Sequence, residues 1–120
     1  MKKVLVVDDD KDIADTVKFI LMRAGYDVKI LLDSVNLQEI VIDYQPNLIL
    51  LDVRLPGKSG IEWCGELRKI YSIPIILFSA EPKIAYKECG ADNFIAKPFR
   101  VAHLVKMINS YLLESNEILS

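Results

Sequence analysis

The stretch Pro46-Asn47-Leu48-Ile49-Leu50-Leu51-Asp52-Val53-Arg54-Leu55-Pro56-Gly57 decides the fold. Leu48–Leu51 shows no polar alternation, so it reads as a strand buried on both faces of a parallel sheet. Pro46 ends whatever helix precedes it, and Pro56, Gly57 and Gly60 mark a loop. The run stops at a carboxylate, Asp52. The N-terminus repeats the pattern: Val4-Leu5-Val6-Val7 stops at Asp8 and Asp9. Functional groups of open parallel sheets gather outside the carboxyl ends of the strands. Asp8, Asp9 and Asp52 are therefore expected in one crevice. Clustered carboxylates repel, and a raised pKa or a hard cation relieves them. Ser79 follows Ile75-Ile76-Leu77-Phe78, and Lys97 follows Phe94-Ile95-Ala96. Acids, a hydroxyl and a lysine together suit a divalent metal and a phosphoryl group.

Outward from these runs, strand and helix alternate five times. Strands are expected at Val4–Val7, Val28–Leu32, Leu48–Leu51, Ile73–Phe78 and Phe94–Ala96. Lys29 interrupts the second run, which suits an edge. Ile13, Val17, Ile20, Leu21 and Ala24 fall at helical spacing, with Gly25 as a stop. Leu37, Ile40, Val41 and Tyr44 mark a second helix up to Gln45. Ile61, Cys64, Leu67 and Ile70 mark a third, and Val101–Leu113 a closing one. Only Pro82–Cys89 is left for the helix before the last strand. The tail Glu114–Ser120 reads as a frayed end or the start of a linker, within one domain spanning 1–120. Alternating β and α implies right-handed crossovers. The natural arrangement is an α/β, flavodoxin-like, doubly wound five-stranded parallel sheet of order 2-1-3-4-5, with a shortened fourth helix. Its crevice opens between strands 1 and 3, where Asp8, Asp9 and Asp52 lie.

The chain has 120 residues, 52 % apolar and 27 % charged, with net charge −2. One globular domain of this length buries a core without disulfides. The near-balanced charge gives no reason for direct nucleic-acid binding. Cys64 and Cys89 lack metal-ligand spacing and read as reduced, structural thiols. No run is long enough for a signal peptide or a membrane span, so a cytoplasmic protein is expected.

Val4-Leu-Val-Val-Asp8-Asp9-Asp10, Pro46 to Gly57, Ile73-Pro-Ile-Ile-Leu-Phe-Ser79-Ala80, Gly90-Ala91-Asp92 and Lys97-Pro98-Phe99 occur in this order. Together they make the chain resemble the receiver domains of two-component response regulators over nearly its full length. The resemblance implies a signalling domain rather than a conventional enzyme. Asp52 would accept a phosphoryl group from a sensor histidine kinase or phosphotransfer protein and pass the signal to an unknown downstream effector. Mg²⁺ would be held by Asp9 directly, by Asp8 largely through water, by Asp52, and by the Arg54 backbone carbonyl. Ser79 would hydrogen-bond the phosphoryl group and Lys97 would neutralise it. Phe94 would be the aromatic switch residue. The peptide before Pro98 would be cis. Arg54 and Glu81, two residues beyond Asp52 and Ser79, would flank the phosphoryl group and tune its lifetime. The interval from Ser79 to Gly90 is about one helical turn shorter than the family commonly has.

Blander readings stand beside these. Asp10 and Asp12 suit an N-terminal helix cap. His103, the only histidine, reads as solvated or packed, and Trp63 and Tyr86 as half-buried helix residues. The enzyme alternative is a haloacid-dehalogenase-like phosphatase, whose Asp-x-Asp nucleophile motif Asp8-Asp9-Asp10 imitates. The hydroxyl residue expected after that motif is missing. A flavodoxin would need a hydroxyl- and glycine-rich loop where this chain carries anions.

Overall fold

The apolar runs form one parallel sheet. In a computed structural model of the chain, which describes residues 1–81 and 86–113, the strands are β1 (Lys3–Val7), β2 (Asp27–Leu31), β3 (Leu48–Asp52), β4 (Ile75–Ser79) and β5 (Asn93–Ala96). Their order is β2-β1-β3-β4-β5, as the sequence reading expects. The helices are α1 (Lys11–Arg23), α2 (Leu37–Tyr44), α3 (Gly60–Ile70) and α4 (Val101–Leu112).

Successive strand residues point to opposite faces. Val4, Val6, Leu48, Leu50, Ile76 and Phe78 pack with Val17 and Leu21 of α1 and Leu104 and Ile108 of α4. Leu5, Val7, Ile49, Leu51, Ile75 and Leu77 pack with Leu37 and Val41 of α2 and Cys64 and Leu67 of α3. Both faces are covered, which is why β3 and β4 are buried at every position. Each such side chain contributes about 1.5–3 kcal/mol on burial.

Several boundaries move. β4 starts at Ile75 rather than Ile73, because Pro74 has no N–H for the ladder and Arg68 takes the Ile73 carbonyl at 2.8 Å. β2 runs one residue earlier than expected and leaves Leu32 exposed. Asp52 and Ser79 are the last residues of their strands rather than the first beyond them. α2 ends as Pro46 dictates: Gln45 caps it with φ 52°, out of the right-handed region.

Of the short helix expected at Pro82–Cys89, Tyr86–Cys89 forms a single 3-10 turn. Residues 82–85 and the tail 114–120 lie outside the described residues, as does the Tyr86 side chain. Among the described residues no helix is long and apolar enough to cross a membrane.

Candidate functional site

β1 and β3 are neighbours, with Val7 beside Leu51, so the next residues, Asp8 and Asp52, meet across the sheet end. Asp8 is 1 % exposed and Asp52 5 %, while Asp9 is exposed at the rim. One carboxylate oxygen from each lies within 4.8 Å of the other two. Hard oxygen donors this close fit a divalent cation such as Mg²⁺. The carboxyl of Asp52 is pushed up to about 6, first by burial and then by the Asp8 charge; Lys97 and the Arg54 N–H pull it the other way.

Asp8, Asp10 and Asp52 are placed by local bonds. The Asp8 N–H donates to the Leu31 carbonyl at 3.0 Å. Its Oδ1 accepts the Asp10 N–H at 2.9 Å. Asp10 turns its own carboxylate to α1, accepting from the Asp12 and Ile13 amides at 3.0 and 3.2 Å. That is the cap the sequence suggests. Asp52 Oδ1 accepts the Arg54 N–H at 3.3 Å.

Lys97 enters from the end of β5, where its N–H donates to the Ser79 carbonyl at 2.8 Å. Its Nζ is 2.8 Å from Asp8 Oδ2 and 3.5 Å from Asp52 Oδ1, so one cation spans both buried acids. The ammonium also sits 4.7 Å from the centre of the Phe78 ring. The Lys97–Pro98 peptide is cis. Ser79 is buried, and its Oγ accepts the Glu81 N–H at 3.0 Å. These groups line a crevice of about 230 Å³. At its mouth Arg54 and Glu81 form an ion pair, with Nε 2.9 Å from Oε1.

The structure thus brings together Asp8, Asp9, Asp52, Ser79 and Lys97, with Arg54 and Glu81 at the rim. Phe94 stays out of the crevice. It lies in β5 beside Leu77 and packs half-buried against the apolar cluster of α2 and α3. His103 is exposed on α4 and Trp63 is half-buried on α3.

Gly60, which the sequence offered only as loop punctuation, proves to be part of the site's frame. A Cβ there would lie 2.1 Å from the Asp52 carbonyl oxygen and 2.9 Å from the Val53 Cα. The Gly60 N–H donates to the Val53 carbonyl at 2.8 Å. α3 therefore starts against the backbone that carries Asp52, which only a glycine permits. Phe78, under the Lys97 ammonium, is a second such residue. Its place one residue before Ser79 was the available signal.

The family described as response regulator receiver domain matches residues 4–109. Solved structures agree. The BeF3-activated N-terminal receiver domain of Klebsiella pneumoniae RstA is 28 % identical with a TM-score of 0.89, over 94 % of this chain and 100 % of that one. The N-terminal domain of the nisin resistance regulator NsrR, a lantibiotic response regulator, is 34 % identical with a TM-score of 0.84, over 93 % and 98 %. The Vibrio cholerae chemotaxis response regulator CheY4 is 30 % identical with a TM-score of 0.81, over 93 % and 99 %.

Proposed function

Since this chain belongs to the response regulator receiver domain family, we propose that it accepts a phosphoryl group on Asp52 and switches conformation in response. One observation carries the reading: Asp52 lies beside Asp8 and Asp9 with Lys97 spanning two of the three. The donor is a sensor histidine kinase or phosphotransfer protein, and the setting is cytoplasmic. A carboxylate oxygen of Asp52 attacks phosphorus, the P–N bond to the donor imidazole breaks, and the imidazole leaves with a proton.

Asp8, Asp9, Asp52 and the Arg54 carbonyl are the groups that would hold Mg²⁺. When bound, the cation offsets the charge of the carboxylates and of the phosphoryl oxygens. Lys97 moves from Asp8 and Asp52 toward the phosphoryl oxygens, and Ser79 Oγ donates to one of them. Phe94 changes its packing on β5 as Ser79 moves, and a downstream effector reads that face. The Arg54–Glu81 pair stands where hydrolytic water approaches and slows it.

Incubation with acetyl phosphate tests the reading. With Mg²⁺ one phosphoryl group should accumulate; without Mg²⁺, or in Asp52→Asn, it should not. A haloacid-dehalogenase-like phosphatase would release phosphate continuously and accumulate little acyl phosphate. The family match leaves that alternative without support.

A further inference from the structure

Outside the crevice, two cysteines meet. Cys64 lies on α3 and is fully buried; Cys89 closes the 3-10 turn ahead of β5 and is half-buried. The Cys64 thiol donates toward the Cys89 carbonyl at 3.7 Å. Both cysteines belong to the apolar cluster that also holds Ala91 and Phe94. The site chemistry above uses neither.

We propose that Cys64 and Cys89 form an oxidation site, which a hydroperoxide converts to a disulfide tying α3 to the turn before β5. The steps balance. The more accessible Cys89 sulfur attacks the peroxide oxygen, giving a sulfenic acid and releasing water, or an alcohol from an organic peroxide. The Cys64 sulfur then attacks the Cys89 sulfur, the S–O bond breaks, and a second water leaves with the Cys64 proton. Two thiols lose two electrons in all, and the peroxide gains them. Cellular dithiols reverse the bond by exchange. Burial first, and the neighbouring Cys89 thiol second, push the Cys64 thiol up to about 12. Closure is therefore the slow step and speeds up as pH rises, because the thiolate is the attacking form.

The consequence rests on the receiver reading. Phe94 follows Cys89 by five positions and packs in the same cluster. A covalent tie at Cys89 restrains the segment that Phe94 must move with. The oxidised protein should still be phosphorylated on Asp52 but should not pass the change to β5. Reduced and oxidised forms would thus differ in output rather than in phosphoryl acceptance.

The test treats the full chain with hydrogen peroxide at several pH values, followed by peptide mapping. The expected product is one Cys64–Cys89 disulfide, formed at least ten times faster at pH 9 than at pH 7 and absent from Cys89→Ser and from Cys64→Ala. In a second arm, reduced and oxidised protein receive Mg²⁺ and beryllofluoride while the Phe94 amide signal is followed. The shift should occur in the reduced form, vanish in the oxidised form and return with dithiothreitol. Cys89 over-oxidised to the sulfinic acid with no disulfide, or both thiols unchanged, overturns the site. A disulfide that leaves the Phe94 response intact overturns the coupling. A reduced protein with no Phe94 response contradicts the receiver reading instead, and the mapping arm still decides the disulfide.

Discussion

Among the described residues Lys97 is the one cation that reaches both buried acids of the crevice, with Nζ 2.8 Å from Asp8 and 3.5 Å from Asp52. Opposite outcomes follow for two substitutions a few ångströms apart. Lys97→Met strands Asp8, which is 1 % exposed, and should destabilise the protein by about 2–4 kcal/mol in urea melts at pH 7. Asp52→Asn removes a charge that burial and Asp8 disfavour. The folded value of about 6 stands above the ordinary 3.8. Between those values the folded chain keeps a proton that the unfolded chain has released. Stability from this group is therefore present at low pH and falls as pH rises through that window. Metal-free Asp52→Asn should be more stable than the parent by about 2 kcal/mol at pH 7. The gain should disappear near pH 3, below the ordinary 3.8, where both states of the parent are largely protonated. Equal melts at pH 7 would refute this account of Asp52. At the rim, Arg54→Ala and Glu81→Ala should each shorten the lifetime of the acyl phosphate. If neither does, the pair does not gate water.

Element by element, the strands were the most legible part of the sequence. A strand buried on both faces has a continuous apolar run, and Leu48–Leu51 shows that with no help from tertiary context. Boundaries slipped where a partner elsewhere decided them. Arg68 claims the Ile73 carbonyl, and the ladder carries β3 and β4 through Asp52 and Ser79. Gly60 was illegible as a site residue because its constraint arises between α3 and β3, not within either. Gly60→Ala should cost about 2–4 kcal/mol and slow phosphorylation, since the methyl group must push α3 off the Asp52 backbone. An unchanged melting curve with normal labelling would contradict this placement of α3. The segment after Ser79 is the other departure. Its described part is one 3-10 turn, Tyr86–Cys89, and 3-10 runs this short bury and present few side chains. Phosphorylated protein is accordingly expected not to dimerise through this segment, β5 and α4. Light scattering with and without beryllofluoride, followed by an interface map, checks this; a two-fold dimer built on that face would contradict it.

At the scale of the whole molecule, the sheet divides the labour. Its carboxyl end carries the crevice, and one face carries the cluster where Phe94, Cys64 and Cys89 meet. The order β2-β1-β3-β4-β5 makes this possible, because it sets β1 beside β3 and so Asp8 beside Asp52. The sequence reading anticipated that convergence from strand ends alone. It did not anticipate that Lys97 would rest on Asp8, since a lysine at a strand end shows its charge but not its partner. The central claim is that Asp52, among all the acids gathered at that end, is the nucleophile. The most direct measurement is chemical. Protein incubated with acetyl phosphate and Mg²⁺ is reduced with borohydride, which converts an aspartyl phosphate to homoserine, and is mapped by peptide mass spectrometry. The account predicts homoserine at position 52 and nowhere else. Homoserine at position 8 or 9, or a phosphoryl group on His103 with Asp52 intact, would contradict it.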